Sequence, residues 1–208
     1  MEESQTALRP LRTLSHPFFW TFLLAALIAL PLARRVLLPP APALPILGTV
    51  PAFRFIDQNG APFGPERLAG KPWVADFVFT RCPAVCPLMT ERLAALQPEL
   101  GEGVHLVSVS VDPDYDTPER LRAFAAQHGA VSARWHFLTG DSQAVQRAVT
   151  EGFKVTAVHE GPADDVNNLI HGVHVVLVDG AGRIRGYYDS TDRDALSRLV
   201  DDAQRLAR

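Results

Sequence analysis

Residues 72–87 read PWVADFVFTRCPAVCP, and this stretch determines the predicted fold more than any other. Its first nine residues, PWVADFVFT, are rich in aromatic and β-branched side chains, which predicts a buried strand. A helix is predicted directly afterwards, from about residue 85 to residue 100. Cys82 and Cys86 therefore lie between the carboxyl end of a strand and a helix, where open α/β sheets place their functional sites.

The neighbouring segments continue this alternation of strands and helices. Residues 53–56 alternate in polarity and precede an Asn59-Gly60 turn, which predicts an N-terminal hairpin. The later segments are predicted to be a strand over 104–111, helices that follow the caps Thr117 and Asp141, strands over 174–178 and 183–188, and a last helix capped by Thr191. This order predicts an α/β fold, a thioredoxin-like three-layer sandwich.

The composition excludes several classes of protein. Of the 208 residues, 47% are hydrophobic and 21% are charged, values that are typical of globular rather than disordered chains. The formal net charge of −3 leaves no basic excess, so we expect no nucleic-acid partner. Two cysteines that lie four positions apart cannot form a disulfide scaffold, so the domain must rely on its apolar core.

The N-terminal region contains an uncharged, mostly apolar run, residues 17–33, with three aromatic residues near its start. Because a helix that spans a bilayer needs about 20 apolar residues, we predict one transmembrane helix over residues 17–38. The alternative is a cleaved signal peptide, which has a shorter apolar region and ends in a small-residue cleavage site. No clear site of that kind follows, which favours an uncleaved anchor.

The predicted organisation has four parts: a short N-terminal segment at residues 1–16, the anchor at 17–38, a Pro-rich linker at 39–48 and a folded domain at 49–208. The linker contains four prolines, at positions 39, 40, 42 and 45. Such a run stays extended and acts as a semi-rigid spacer.

The two cysteines are the strongest candidates for chemistry. A helix N-terminus carries partial positive charge, which lowers the pKa of a nearby thiol and favours the thiolate that attacks disulfides or binds soft metals. The three residues between Cys82 and Cys86 leave room for both sulfurs to turn toward one ion. The less specific interpretation is a pair of buried, inert side chains, and the flanking prolines and the strand-to-helix position argue against it.

Asp76 stands in the middle of the predicted strand at 72–80, among apolar neighbours. A buried carboxyl group is costly unless it is hydrogen-bonded or protonated. Six positions before Cys82, it is a candidate proton acceptor with a raised pKa that promotes thiol chemistry. A structural aspartate satisfied by its surroundings is the alternative, and the sequence leaves both open.

Residues 77–87, FVFTRCPAVCP, resemble the F-x-F-T-x-C-P-x-x-C-P signature of the Sco/SenC family. The members of that family are thioredoxin-fold, copper-binding proteins used in the assembly of cytochrome c oxidase. The resemblance continues through SVSVDPDYDTPE at 108–119 and IHGVHVVLVDGAGRIRGYYD at 170–189, so it covers essentially the whole predicted domain.

The resemblance implies that Cys82, Cys86 and a histidine on the loop before a strand bind copper, and the matching histidine is His171. Two thiolates and one imidazole suit copper(I), whereas a structural zinc site would need a fourth ligand. His174 is the second candidate, but its parity along the strand places it on the opposite face from His171. The family often has an acid where this chain has Ala84, which removes a carboxylate next to the proposed ligands.

Two functions follow as expectations. The resemblance implies a copper metallochaperone that is anchored in the bacterial cytoplasmic membrane, faces the periplasm or cell exterior, and delivers copper to the binuclear centre of cytochrome c oxidase subunit II. The alternative is a thiol–disulfide oxidoreductase, in which one cysteine attacks a partner disulfide, the other resolves it and Asp76 accepts a proton. Only copper binding needs a histidine. Asp112, Asp114 and Asp116 are interpreted as a loop that touches a partner or, more plainly, as a capping turn.

Overall fold

The computed structural model describes residues 17–37, 42–130, 133–155, 157–159, 169–171 and 173–208. For residues 157–159 and 169–171, and for part of the first helix, only the backbone is described. The chain divides into two compact units, Met1–Ala43 and Leu44–Arg208, and both cysteines belong to the second.

In the first unit, the described element is helix α1, Pro17–Leu37. Its side chains Phe18, Phe22 and Leu30 are exposed. In the described part of the chain, no helix is long and apolar enough to span a membrane, so the transmembrane helix predicted over 17–38 is not supported. The uncharged run ends before Arg34, and its length as a helix, about 25 Å, is less than the hydrocarbon core of a bilayer, about 30 Å.

The second unit contains the strands and the remaining helices. Its strands are β1 (Gly48–Thr49), β2 (Phe55–Asp57), β3 (Pro62–Phe63), β4 (Trp73–Val78), β5 (His105–Ser110), β6 (Trp135–Thr139), β7 (Ala157–His159), β8 (Leu169–His171), β9 (His174–Val178) and β10 (Arg183–Asp189). Its helices are α2 (Val85–Leu100), α3 (Pro118–Gln127), α4 (Ser142–Arg147) and α5 (Arg193–Leu206). The described residues also include a 3₁₀ turn, Pro65–Leu68, and a π-helical turn, Ala148–Gly152.

Eight strands form one mixed sheet in the order β1-β10-β9-β4-β5-β6-β2-β3, and β7 pairs with β8 separately. Strands β4, β5 and β6 run parallel, while β9 is antiparallel to β4 and β10 is antiparallel to β9. Every residue of β4 and β5 is buried, because both faces of the sheet are covered at its centre. Helix α2 contacts α5, and α3 contacts β6. This arrangement confirms the predicted α/β architecture.

Aromatic side chains fill the centre of the second unit. Phe77 of β4 meets Phe153 edge-on, with ring centroids 5.2 Å apart, and Trp135 stacks on Phe137 of β6 at 5.4 Å. All four side chains are fully buried. Buried aromatic pairs contribute packing energy beyond the area that they remove from water, so they stabilise the centre of the sheet, including β4, which leads into the cysteine loop.

The hairpin of β2 and β3 confirms the predicted N-terminal hairpin. Asp57 Oδ1 accepts hydrogen bonds from the main-chain N–H groups of Asn59 and Ala61, both at 2.9 Å. Gly60 has a φ of 78°, a left-handed conformation that favours glycine. The asparagine–glycine signal in the sequence therefore reports a real conformational requirement.

Two of the three helix caps predicted from the sequence are confirmed. Thr117 and Asp141 cap α3 and α4 by accepting hydrogen bonds from main-chain N–H groups of the first turns. The prediction that Thr191 caps the last helix is wrong, because the cap of α5 is Asp192. The Thr191 hydroxyl instead donates to Asp189, 2.6 Å away.

Candidate functional site

The cysteine loop, residues 79–84, joins the end of β4 to the start of α2. The N–H of Cys82 donates to the carbonyl of Phe79 at 3.1 Å, which turns the chain away from the strand direction. Helix α2 begins at Val85. Its N-cap residue is Ala84, which has no polar side chain to bond the N–H groups of the first turn. Cys86 is therefore the second helical residue, and Cys82 lies just before the helix.

The two sulfur-bearing residues contact each other through the helix N-terminus. The main-chain N–H of Cys86 donates to Sγ of Cys82 at 3.3 Å. This N–H is one of the first four of the helix, which have no partner within the helix itself. Cys82 is 8% exposed and Cys86 is 0% exposed, and both are thiols rather than halves of a disulfide. Both thiols are therefore buried, and Cys82 is the less completely buried of the two.

The pKa of the Cys86 thiol is raised, contrary to the expectation that the helix N-terminus would lower it. The largest cause is the hydrogen bond with Cys82, followed by burial, and the nearby charges of Cys82 and Asp76 act in the same direction. Because the Cys82 sulfur accepts a hydrogen bond from the helix, negative charge is favoured there rather than on Cys86. The two thiols therefore differ in how readily they lose a proton.

Asp76 lies at the centre of β4 and is completely buried, as its neighbours in the sequence predicted. The Ser108 hydroxyl donates to Asp76 Oδ1 at 2.6 Å, and the indole N–H of Trp135 donates to Ser108 Oγ at 2.8 Å. These hydrogen bonds link three neighbouring strands, β4, β5 and β6. Since the carboxylate also raises the pKa of Cys86, Asp76 is electrostatically coupled to the thiol pair.

The aspartates after β5 hold the cysteine loop, which the sequence interpretation missed. Asp116 is completely buried and accepts hydrogen bonds from the main-chain N–H of Thr80 at 3.1 Å, from the Thr80 hydroxyl at 2.5 Å and from the Ser110 hydroxyl at 2.6 Å. Burial raises the pKa of Asp116, although these hydrogen bonds oppose the shift. The signal in the sequence was the position of the acids after β5, because the carboxyl ends of adjacent parallel strands meet at one edge.

Arg81, the residue before Cys82, is held by the same loop. Its guanidinium forms a two-pronged ion pair with Asp112, with nitrogen–oxygen distances of 2.6 and 3.2 Å. Its Cζ atom lies 4.5 Å from the centre of the Tyr115 ring, a cation–π contact. Asp114 is exposed, so only two of the three aspartates face the loop.

The surface around Cys82 is largely apolar. Pro83 and Ala84 are exposed, and on the first turn of α2 Val85 and Leu88 are 40% and 47% exposed. These exposed apolar side chains provide a contact surface for a protein that approaches the cysteine loop.

His171 does not lie in a loop directly before β9, as the sequence predicted. It is the last residue of β8, and its main chain pairs with Ala157 of β7. Its side chain lies outside the described residues. His174 begins β9 and is exposed, which agrees with a surface role. The parity argument that compared the two histidines does not apply, because they belong to different strands.

Among the described side chains, no group of three or more histidines, cysteines or acids is arranged to hold a metal ion. Of the three predicted copper ligands, the structure describes the side chains of Cys82 and Cys86. Of the four predicted site residues, the structure therefore brings Cys82, Cys86 and Asp76 together, and it gives only the backbone of His171.

Comparison with known proteins identifies the relatives of this fold and cysteine loop. Residues 47–207 match the family model described as SCO1/SenC, which covers nearly the whole second unit. The chain belongs to the SCO1/SenC family. Its thioredoxin-like fold is therefore the fold of that family, as the cysteine signature implied.

Three relatives illustrate the similarity. A SCO1/SenC family lipoprotein from Bacillus anthracis has a crystal structure that superposes with a TM-score of 0.71 at 34% identity, covering 80% of this chain and 100% of that one. BsSco, described as a Sco-family cytochrome c oxidase assembly protein with a disulfide switch, gives a TM-score of 0.69 at 30% identity, covering 79% and 96%. A protein of Stutzerimonas stutzeri described as copper-binding is 29% identical over 197 residues, covering 91% of this chain and 95% of the relative.

Proposed function

We propose that the protein is a copper metallochaperone whose cargo is held by Cys82, Cys86 and His171. The observation that carries the proposal is the pair of thiols at the N-terminus of α2, where the Cys86 N–H contacts the Cys82 sulfur at 3.3 Å. The family relationship and the relative from Stutzerimonas that is described as copper-binding support copper as the cargo. Copper(I) prefers such soft ligands, and a single imidazole completes a three-coordinate set.

Copper loading and delivery use the asymmetry of the pair. Binding displaces one proton from each thiol, because thiolates are the metal ligands. Cys82 is the less buried of the two thiols and accepts the helix N–H, so it is the sulfur that an incoming acceptor ligand replaces first. The acceptor's thiolates then replace the donor ligands one at a time, and the exposed Val85 and Leu88 supply the contact surface.

The acceptor that we propose is the copper-binding subunit II of cytochrome c oxidase. The support is the relative BsSco, which is described as a member of a family of cytochrome c oxidase assembly proteins. The location follows from that acceptor: the domain works at the outer face of the bacterial cytoplasmic membrane. The exposed apolar side chains of α1 support membrane association, and fractionation of the full chain, with and without residues 17–37, tests it.

A second candidate function, thiol–disulfide exchange, is supported by Asp76 and by the disulfide switch described for BsSco. In this reaction the Cys82 thiolate attacks a partner disulfide and forms a mixed disulfide, and Cys86 then displaces the partner as a thiolate. The pair ends as a disulfide, and its two electrons reduce the partner. The buried carboxylate near Cys86 is placed to influence its deprotonation.

An anaerobic copper(I) titration against a chromogenic competing chelator tests the proposed function. We expect the reduced full-length chain to bind one copper ion, and Cys82→Ser or Cys86→Ser to lose competitive binding. Met89→Leu is the matched control, since it removes the buried thioether of the same helix. Failure of the wild type to compete for copper contradicts the chaperone proposal. Reduction of a disulfide-bonded subunit II by the same protein then favours thiol–disulfide exchange.

A further inference from the structure

We propose that Asp116 is a positioning residue for the cysteine pair, acting through Thr80. The carboxylate is completely buried and receives three hydrogen bonds: from the N–H of Thr80, from its hydroxyl and from the hydroxyl of Ser110. Thr80 is two residues before Cys82. The proposal rests on the proposed function and explains how its first ligand is held in place.

The hydrogen bonds fix the exit of β4 to the exit of β5. At the ends of the two strands, the Val111 N–H donates to the Val78 carbonyl at 2.9 Å. Two residues further along, the Thr80 N–H donates to the Asp116 carboxylate. Asp112 holds the next residue, Arg81, by an ion pair. Thr80 and Arg81, the two residues before Cys82, are therefore both bonded to aspartates of the loop at residues 112–116.

The other sulfur is positioned independently. Cys86 lies within α2 and is completely buried, so the packing of the helix fixes it. Cys82 lies in the loop, and its position relative to Cys86 depends on what holds the residues before it. Release of Thr80 would leave one sulfur fixed and let the other vary.

Both proposed reactions need the two sulfurs at a defined separation. Groups that orient metal ligands without touching the metal typically contribute roughly 10- to 100-fold in metal affinity. We therefore expect Asp116→Ala to weaken copper(I) binding by about that factor and to shift the reduction potential of the cysteine pair. Asp116→Asn keeps one oxygen acceptor for the Thr80 N–H, so it should restore part of the affinity.

Asp57→Ala is the matched control. Asp57 is also buried, and it accepts two main-chain hydrogen bonds in the turn between β2 and β3, two strands beyond β5 in the sheet. Its loss should destabilise the fold without changing copper affinity or reduction potential. Thr80→Val removes only the Thr80 hydroxyl and provides a milder variant if Asp116→Ala does not fold.

The experiment measures copper(I) affinity by chelator competition, and the reduction potential by equilibration with a dithiol buffer, for the full chain and these variants. Weaker binding in Asp116→Ala or Thr80→Val, with partial rescue by Asp116→Asn and wild-type values for Asp57→Ala, supports the proposal. Wild-type values in the Asp116 and Thr80 variants, or equal losses in Asp57→Ala, overturn it. If the wild type binds no copper, the proposed function fails, and the reduction potentials alone decide the positioning role by the same comparison.

Discussion

The main-chain N–H of Cys86 donates a hydrogen bond to the Cys82 sulfur across 3.3 Å. This contact makes the two cysteines chemically different although they are only four positions apart in the sequence. The Cys82 sulfur receives a hydrogen bond from the helix and is slightly accessible, while the Cys86 sulfur is completely buried and near the carboxylate of Asp76. The order in which the thiols react is a direct consequence.

We expect alkylating reagents to modify Cys82 before Cys86. Cys82 is less buried than Cys86 and its thiolate is favoured by the helix N–H, whereas the hydrogen bond with Cys82 and burial raise the pKa of Cys86. Limited treatment of the reduced protein with iodoacetamide, followed by peptide mass mapping, measures the ratio of the two modifications. Equal labelling, or faster labelling of Cys86, would show that the asymmetry does not exist in solution.

Replacement of Asp76 by asparagine should lower the pKa of Cys86. The negative charge of Asp76 is one of the causes that raise this pKa, so its removal lets the thiolate form at lower pH. The pH dependence of Cys86 alkylation in the native protein gives the midpoint, which should move to lower pH in Asp76→Asn. Asp57→Asn, which removes a buried charge in the hairpin turn, should leave that midpoint in place. An unchanged midpoint in both variants would separate Asp76 from the thiol chemistry.

Acid should destabilise the fold through His136. Burial is the main cause that lowers the pKa of His136 to about 4, and His105, Arg67 and Lys71 add to it while Asp57 opposes it. Because the pKa falls on folding, the stability is complete above the unfolded value near 6.5 and is lost as pH drops toward about 4. The full shift would correspond to roughly 3 kcal/mol, and the expected loss is smaller because His136 is only partly buried and solvent screens its charge.

Urea denaturation at a series of pH values measures this effect. His136→Gln cannot be protonated and should flatten the acid limb of the stability profile. His128→Gln, which changes a histidine that contacts the exposed Glu91, should keep the wild-type profile because His136 remains. A His136→Gln profile as steep as that of the wild type would assign the acid loss to other groups.

Arg185 should contribute far more to stability than Arg183, although both contact the same carboxylate. Arg185 and Asp179 are both buried, at 2.7 Å, and Arg185 also donates to the carbonyls of Leu44 and Pro45. Arg183 is 45% exposed. Arg185→Ala leaves a buried carboxylate with weaker compensation and should cost about 3–5 kcal/mol, whereas Arg183→Ala should cost less than about 1 kcal/mol.

Chemical denaturation of the two variants makes the comparison. Limited proteolysis adds a local readout, since loss of Arg185 removes the contacts of residues 44 and 45 with β10. Equal losses in both variants would mean that burial does not distinguish the two ion pairs.

Local signals allowed much of the fold to be predicted from the sequence. The aromatic and β-branched run gave β4, the asparagine–glycine turn gave the β2–β3 hairpin, and Thr117 gave the start of α3. The cysteine pair was identified in the same way, because its spacing and its place before a helix are local features.

The parts that the sequence did not reveal depend on distant contacts. Thr80 donates its hydrogen bonds to Asp116 because β4 and β5 lie side by side in a particular register. No local sequence pattern determines that register. Thr191 and Asp192 are adjacent residues that both suit a helix cap, and the position of Asp189 decides between them. The expected lowering of the thiol pKa failed at Cys86 for the same reason, because the Cys82 hydrogen bond, burial and Asp76 that raise this pKa depend on neighbours in space.

The most direct test of a copper site made of two cysteines and one histidine is an anaerobic copper(I) titration of the full chain carrying His171→Ala. His174→Ala is the matched control, an exposed histidine three residues further on. We predict that His171→Ala weakens copper binding by at least about tenfold, or 1.4 kcal/mol, while His174→Ala binds like the wild type. Unchanged binding in His171→Ala, or an equal loss in His174→Ala, would contradict the three-ligand site.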